Sequence, residues 1–269
     1  MRTVLGPAFG DRLHVMTYNL RFPADDPGHY WDDRRSAMVA LLRDERPTVI
    51  GTQEGRYHQL RDLGADLGEN YAWIGVGREG GSHGEFAAVF YETGRLDPLE
   101  YLDLWLSDTP EAIGSTTWGN RAPRMATWVR FADRLTDRQF VVLNTHLDNH
   151  VENARQRGAE LLAETVAAFG DLPVVITGDF NTAAESSVPY GVLVGGTGLV
   201  DTWSAAEQQI TPAYGTFGGY RDPVIGGPRI DWILTSAHFT AEFAAINPSR
   251  VEGRYPSDHL PVQALLRWN

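Results

Sequence analysis

The 269 residues suffice for one large domain or for two small ones of roughly 100–200 residues each. The sequence contains no cysteine, which excludes disulfides, thiolate metal sites and a cysteine nucleophile. The formal net charge of −12 argues against a broad basic surface for extended duplex nucleic acid, because such surfaces carry an excess of Lys and Arg.

The sequence shows neither a membrane segment nor a leader. No apolar run reaches the roughly 18 residues of a membrane span, and the first residues lack the continuous apolar segment of a signal peptide. We therefore expect a cytoplasmic protein without a membrane span, and a processed secreted form stays open. The sequence leaves the oligomeric state open.

Short apolar runs predict strands along the whole chain, because they are rich in β-branched and aromatic residues and are bounded by Gly, Pro, Asn or Asp. Helical spacing of apolar residues predicts helices over 31–45, which Pro47 stops, and over 151–169. The predicted strands are 13–20, 48–54, 71–76, 86–92, 125–131, 139–147, 172–180, 229–236 and 260–268.

This order of elements predicts a strand-rich, layered α/β domain rather than a strictly alternating parallel sheet. Because no linker and no internal repeat interrupts it, we predict a single domain over residues 1–269. The run Gly75-Val-Gly77-Arg-Glu-Gly80 matches the dinucleotide fingerprint GxGxxG. A strand pattern follows it instead of the required helix, so we interpret it as a turn.

Polar residues occur at the ends of several predicted strands. Side chains two apart on a strand share a face, so Asn144, His146 and Asp148 can point together, as can Asp179 and Asn181. One such residue is usually a turn or cap residue, but their joint occurrence indicates a site. The set comprises Asn19, Glu54, His146, Asp148, Asp179, Asn181 and Asp231.

These residue types favour metal-assisted hydrolysis of a phosphate ester. Carboxylate and amide oxygens suit Mg²⁺ or Mn²⁺, which keeps several waters for a substrate phosphate. Imidazoles beside the metal can donate to phosphoryl oxygens or act as a general acid or base. A zinc site is less suited, because the sequence has no HExxH motif.

The residues before the last strand add a further pair. Alternation places Ser257 and His259 on one side of the chain and Asp258 on the other. We therefore predict that Asp258 and His259 have different roles.

The motifs, taken together, resemble those of the endonuclease/exonuclease/phosphatase superfamily, and they follow its order from residue 17 to residue 259. They are TYNLR (17–21), QE (53–54), NTHLD (144–148), GDFN (178–181), RIDWI (229–233) and SDH (257–259). The resemblance implies a four-layered α/β sandwich, in which two packed, mostly antiparallel β-sheets are flanked by helices. It also implies divalent-metal phosphoesterase chemistry at one edge of the sheets.

The resemblance further implies roles for single residues. Glu54 is the principal metal ligand, with Asn19 and Asp258 close to the metal or its waters. Asp179 orients and deprotonates the attacking water, and Asn181 holds the phosphate or that water.

For the histidines, the resemblance implies that Asp231 orients His259, whose other nitrogen contacts the phosphoryl group. His146 stabilises the transition state or assists the leaving oxygen. Apurinic endonucleases usually have tyrosine in place of His146, so the DNA-repair branch is disfavoured.

The stretches GSHGEFAAVFY and PRMATW resemble a bacterial subgroup of the superfamily. They suggest that His83, Glu85 and Arg124 line the substrate side, although a structural ion pair remains the alternative for Arg124. We also predict substrate contacts for Asn144 and Asp148, and we expect specificity to depend on 77–85, 107–124 and 185–228.

The predicted function is hydrolysis of a small or single-ended phosphate ester with Mg²⁺ as cofactor and Mn²⁺ as the alternative. The partner is then a phosphorylated small molecule or a nucleotide, and the choice between monoester and diester stays open. A nuclease with DNase-like or deadenylase-like substrates is the alternative. An inactive binding scaffold is a more remote alternative.

Overall fold

Two β-sheets pack face to face in the computed structural model, which describes residues 3–269, and helices cover their outer faces. The strands are β1 (Leu13–Asn19), β2 (Val49–Gln53), β3 (Tyr71–Ile74), β4 (Val89–Glu92), β5 (Leu96–Trp105), β6 (Met125–Asp133), β7 (Arg138–His146), β8 (Val174–Asp179), β9 (Val200–Asp201), β10 (Gln208–Gln209), β11 (Asp231–Thr235), β12 (Phe239–Ile246) and β13 (Val262–Trp268).

Within residues 3–269, five α-helices connect these strands, and two of them have only three or four residues. They are α1 (Trp31–Glu45), α2 (Tyr57–Leu67), α3 (Glu152–Ala168), α4 (Val188–Tyr190) and α5 (Thr202–Ala205). A 3₁₀ turn at Gly68–Asn70 follows α2, and a π-helical turn at Gly191–Gly195 follows α4.

The first sheet has seven strands in the order β10-β12-β13-β1-β2-β4-β3, and the second has six in the order β5-β6-β7-β8-β11-β9. Most neighbouring strands are antiparallel. The exceptions are β1 with β2, β10 with β12, and β7 with β8.

Three apolar layers hold the four-layered arrangement together. Between the sheets, Val15 and Val49 belong to the same cluster as Val142 and Val175. Outside the first sheet, α1 and α2 contribute to a second cluster, and α3 contributes to a third outside the second sheet. Because β1 and β7 are covered on both faces, all residues of β1 and residues 140–146 of β7 are buried, instead of every second residue only.

The predicted fold class is confirmed, including the mostly antiparallel sheets and the helices over 31–45 and 151–169. Strands β5 and β12 and helix α2 were missed. β5 contains Pro98 and several charged residues, which an edge strand tolerates where a bulge interrupts the pairing. Within α2, Gly64 lowers the helix propensity and weakens the pattern.

Within residues 3–269, no helix combines the length and the apolar character that a bilayer crossing requires.

Candidate active site

The first sheet brings its polar strand-end residues to one edge. Strands β1 and β2 run parallel and pair Asn19 with Gln53, so that Glu54 lies just beyond the end of the sheet. Strand β13 runs antiparallel to β1 and therefore begins at this edge, three residues after His259.

The second sheet brings its residues to the same place. Parallel β7 and β8 pair His146 with Asp179, the last residues of their strands. Antiparallel β11 begins with Asp231 opposite Asp179. The two sheets therefore meet with carboxylate and imidazole groups along one shared edge.

Two of these residues have an unusual backbone conformation. Glu54 has φ of 63° and Asn181 has φ of 51°, the left-handed region that non-glycine residues seldom adopt. Hydrogen bonds hold both: the Phe22 N–H donates to Glu54 Oε2 at 3.0 Å, and the Asn181 N–H donates to Asp179 Oδ1 at 2.9 Å. Such conformations are concentrated at functional sites, where the surrounding structure offsets their cost.

Asn19 links the two carboxylates across the sheets. Its Nδ2 donates to Glu54 Oε1 at 3.0 Å and to Asp179 Oδ2 at 2.9 Å. Its Oδ1 accepts from the Arg21 N–H at 2.9 Å, which fixes the orientation of the amide. Asn19 therefore presents donors to the carboxylates, an arrangement that suits positioning them better than direct ligation of a metal.

The environment of Asp179 favours the protonated acid. Burial, followed by the charge of Asp231, raises the pKa of Asp179 to about 7, although His259 and the Asn19 amide act in the opposite direction. A carboxyl group with a pKa near neutrality can exchange a proton at physiological pH.

Asp231 and His259 form a buried pair across the two sheets, with Asp231 Oδ2 at 2.9 Å from His259 Nδ1. Burial acts to lower the pKa of His259, but the charges of Asp231 and Asp179 outweigh it and raise that pKa to about 10. The ring is thus an imidazolium whose Nε2 lies 3.8 Å from Asp179 Oδ2. Phe217 packs against this ring, with the ring centroids 5.0 Å apart.

His146 is neutral, in contrast to His259. Burial, with the charges of Arg124 and Arg78, holds the pKa of His146 well below its usual value. The hydrogen bonds agree: Asn181 Nδ2 donates to Leu147 O and lies 3.0 Å from His146 Nε2, which therefore accepts. His146 Nε2 is also 3.5 Å from Asp179 Oδ2.

Arg124 and Asp148 lie beside His146 as a buried ion pair. Arg124 Nε donates to Asp148 Oδ2 at 3.2 Å, and its Nη2 donates to Asn149 Oδ1 at 2.8 Å. Arg124 Nη1 is 3.3 Å from both ring nitrogens of His146. Asp148 Oδ1 accepts the N–H groups of the next turn, so Asp148 primarily positions Arg124.

Two predicted substrate contacts occupy other positions. Asn144 is fully buried between the sheets, where Thr52, Gln53, Ala88 and Thr177 use its hydrogen-bonding groups. Its side chain lies on the same face of β7 as that of His146 but farther from the sheet edge, so Asn144 supports the site without lining it. His83 is exposed on the turn after β3 and does not line the cavity at the site.

Asp258 and His259 do face different neighbours. Asp258 Oδ2 is 3.4 Å from Arg21 Nε, and Arg21 Nη1 is 3.9 Å from Glu54 Oε2. The guanidinium of Arg21 therefore lies between the carboxylates of Glu54 and Asp258.

The donor set fits a hard divalent cation. Glu54, Asp179 and His259 each offer one atom within 4.8 Å of the others. The Nδ1 of His259 is already paired with Asp231, and Glu54 and Asp179 provide carboxylate oxygens. Mg²⁺ needs only one or two carboxylates, because it retains several waters.

A cavity of about 300 Å³ adjoins Glu54 and His146 and contains residues that the motifs did not reveal. Arg78, from the turn that mimics GxGxxG, and Arg121, from the stretch before β6, both line it. No motif marks either residue, because each is a single arginine within a loop. A larger apolar cavity of about 560 Å³, between β5, β6 and α3, contains none of the candidate residues.

Comparison with known proteins agrees with this geometry. Residues 16–259 match the model of the Endonuclease/Exonuclease/phosphatase family. The chain belongs to this family. Its members hydrolyse phosphate esters, so the predicted resemblance and the reaction class are confirmed at that level.

Several solved structures share the fold over nearly the whole chain. A mannosyl-6-phosphatase from Bacteroides thetaiotaomicron is 32% identical, with a TM-score of 0.89, and the match covers 95% of this chain and 100% of that one. Another family protein from the same organism is 31% identical, with a TM-score of 0.90 and coverage of 96% and 98%.

A more distant relative is Protein angel of Drosophila melanogaster, which is 27% identical over 220 residues, 77% of this chain. The match spans 59% of the length of that protein, and the same share of an uncharacterised mimivirus protein.

Proposed function

We propose that the protein is a Mg²⁺-dependent phosphatase that removes a phosphate group from a small molecule by in-line attack of water, with Mn²⁺ as a possible substitute. The observation that carries the proposal is the position of Asp179, which lies among Asn19, His146 and His259 at the junction of the two sheets. Three groups therefore lie close together: Asp179 as a base, His259 as a cationic donor and Glu54 as a metal-binding carboxylate.

Glu54 is the principal metal ligand in this proposal, since its carboxylate faces the junction and its backbone is held in a left-handed conformation. Asp258 contributes negative charge on the same side. When bound, the cation supplies charge that polarises a phosphoryl oxygen and favours ionisation of water.

Asp179 orients the attacking water and accepts its proton, a role that a pKa of about 7 suits. Asn181 lies next to it, with its backbone N–H bound to Asp179 Oδ1 and its amide facing His146. This arrangement fixes the direction in which the water is held.

His259 donates its Nε2–H to a phosphoryl oxygen, because Asp231 holds the ring on the other side and keeps it charged. Charge-assisted hydrogen bonds of this kind stabilise the developing charge in a phosphoryl transition state. His146, being neutral, orients Asn181, while the adjacent Arg124 is held in place by its ion pair with Asp148.

A compact substrate fits the molecule better than a long polymer. The net charge is −12, and the cavity at the site is small. The similar mannosyl-6-phosphatase makes a sugar phosphate the first candidate for this chain.

The test compares p-nitrophenyl phosphate, its bis-ester and sugar 6-phosphates with Mg²⁺ or with EDTA. We expect faster hydrolysis of monoesters than of the diester, and no hydrolysis in EDTA. Failure to cleave any ester with any divalent metal would contradict the proposal.

A nuclease with the same chemistry is the second candidate, since Phe217 offers an exposed aromatic ring beside His259. Binding of single-stranded oligonucleotides that weakens steeply with salt would favour it, because phosphate contacts release counterions.

A further inference from the structure

The cavity beside the site is placed to hold the part of the substrate that leaves. It shares Glu54 and His146 with the site and has a volume of about 300 Å³. This volume is at the lower end for small-molecule pockets, which range over roughly 300–1,000 Å³. Its other wall residues include Phe22, Arg78, Glu85, Arg121, Arg124 and Asp148.

The cations deep in this cavity are already paired with carboxylates. Arg78 Nη1 donates to Glu85 Oε2 at 2.6 Å, and Arg124 pairs with Asp148 at 3.2 Å. Their charges are thus largely neutralised before a ligand enters. A second phosphate on the substrate would have to compete with these carboxylates.

Ion-paired side chains still have free donors and acceptors, and hydroxyl groups use both at once. Within residues 3–269, Glu85 Oε1 has no hydrogen-bond partner, and neither does the buried Arg78 Nε. Glu85 and Arg78 are also joined through the backbone, since the Arg78 N–H donates to Glu85 O at 2.8 Å. The pair is therefore a fixed unit with an open acceptor.

The walls offer little surface for stacking a nucleobase. Among the described residues that line the cavity, Phe22 is the one aromatic besides His146 and His150. The guanidinium of Arg21 lies 4.3 Å from the centre of the Phe22 ring and covers it. Nucleobases are usually held by stacking on open aromatic faces.

We propose that this cavity binds a hydroxyl-rich ring, such as a hexose, as the leaving group, and that Glu85 and Arg78 determine specificity by hydrogen-bonding its hydroxyls. The inference rests on the proposed phosphatase function and names the substrate class of that same site. Arg121 is exposed at the edge of the cavity and forms no ion pair within residues 3–269, so it contacts the outer side of the ring.

The experiment measures kcat/KM with Mg²⁺ for glucose and mannose 6-phosphates, a hexose bisphosphate, AMP and p-nitrophenyl phosphate. For the wild type, we expect a hexose monophosphate to exceed all the others. In Glu85→Gln, the ratio of hexose phosphate to p-nitrophenyl phosphate should fall at least about 10-fold, the scale of one lost hydrogen bond to a charged group. Arg78→Lys should lower the same ratio, because it loses the planar fork of donors.

Glu242→Gln is the matched control. Glu242 pairs with Arg12 at 3.1 Å, its side chain is 13% exposed like that of Glu85, and it lies in β12, away from the site. It should keep the wild-type ratio.

The outcomes separate the two proposals. If no ester is hydrolysed, the phosphatase function is wrong and the inference is lost with it. If esters are hydrolysed but AMP or the bisphosphate is preferred, or if Glu85→Gln keeps the wild-type ratio, the inference alone is overturned.

Discussion

Asp231 and His259 illustrate how single residues acquire different roles in one site. The two groups come from different sheets and meet at 2.9 Å, with little exposure to solvent. The carboxylate fixes the imidazole tautomer and favours its charged form. For His146, a few ångströms away on the other side of Asp179, burial and then the charges of Arg124 and Arg78 hold the pKa well below its usual value, so this ring is neutral. The site thus contains a charged and a neutral histidine.

Asp231→Asn should change the pH dependence of catalysis. The charge of Asp231 helps to raise the pKa of His259 to about 10, so its removal lowers that pKa. Activity that needs the imidazolium is lost as pH rises through this pKa. We therefore expect the alkaline limb of the kcat–pH profile to move to lower pH by about one unit or more, which corresponds to about 1.4 kcal/mol.

The measurement is kcat for a phosphate monoester over a range from weakly acidic to alkaline pH. Asp133→Asn is the control, because Asp133 is equally buried but pairs with Arg95 elsewhere. An unchanged alkaline limb in Asp231→Asn would show that this pair does not set the charge of His259.

At the scale of elements, the two sheets approach each other closely just below the site. Asn144 of β7 donates to the backbone oxygens of Thr52 and Ala88, and its Oδ1 accepts from Gln53. This polar link joins the sheets where β2 and β7 end. Gly51 in β2 allows the approach, since it has no side chain to hold the sheets apart.

Gly51→Ala should therefore destabilise the protein. An added Cβ would lie 2.6 Å from Asn144 Oδ1 and 2.7 Å from Thr177 Cβ, so one sheet must shift. We expect the free energy of unfolding to fall by roughly 1–3 kcal/mol, as for other overpacked cores. Urea denaturation measures it. Gly94→Ala is the control, because no heavy atom lies within 4 Å of its added Cβ, and equal stability of both variants would refute the close approach.

At the scale of the whole molecule, much of the fold could be predicted from the sequence, because buried strands have a local apolar pattern. The ordered motifs also identified the residues that meet at the sheet edge. The depth of each side chain could not be predicted: Asn144 and His146 share a face of β7, and only the packing of the first sheet against β7 shows that Asn144 is the one that is covered.

Contacts between loops could not be predicted from the sequence either. Arg78 lies in a turn dismissed as a false motif, and its pairing with Glu85 depends on how that turn folds back. The segments 77–85 and 107–124, expected to carry specificity, do supply Arg78, Glu85 and Arg121 to the cavity. Within these segments the sequence pointed to Glu85 and Arg124, but it could not point to Arg78 or Arg121.

The site belongs to neither sheet alone. Glu54 and His259 come from the first sheet, and His146, Asp179 and Asp231 come from the second. Glu54 would hold a cation beside Asp179, where the two sheets meet, and the cation would favour ionisation of the attacking water. The central claim is therefore that Glu54 makes hydrolysis depend on a divalent metal.

The most direct test is the initial rate of phosphate release from a monoester, titrated with Mg²⁺, for the wild type and for Glu54→Gln. We predict saturable activation of the wild type that EDTA abolishes. For Glu54→Gln, we predict a rate at least about 10-fold lower at the same Mg²⁺ concentration, because the ligand charge is lost. Glu242→Gln should behave like the wild type. Metal-independent hydrolysis by the wild type, or an unchanged Mg²⁺ titration in Glu54→Gln, would contradict the account.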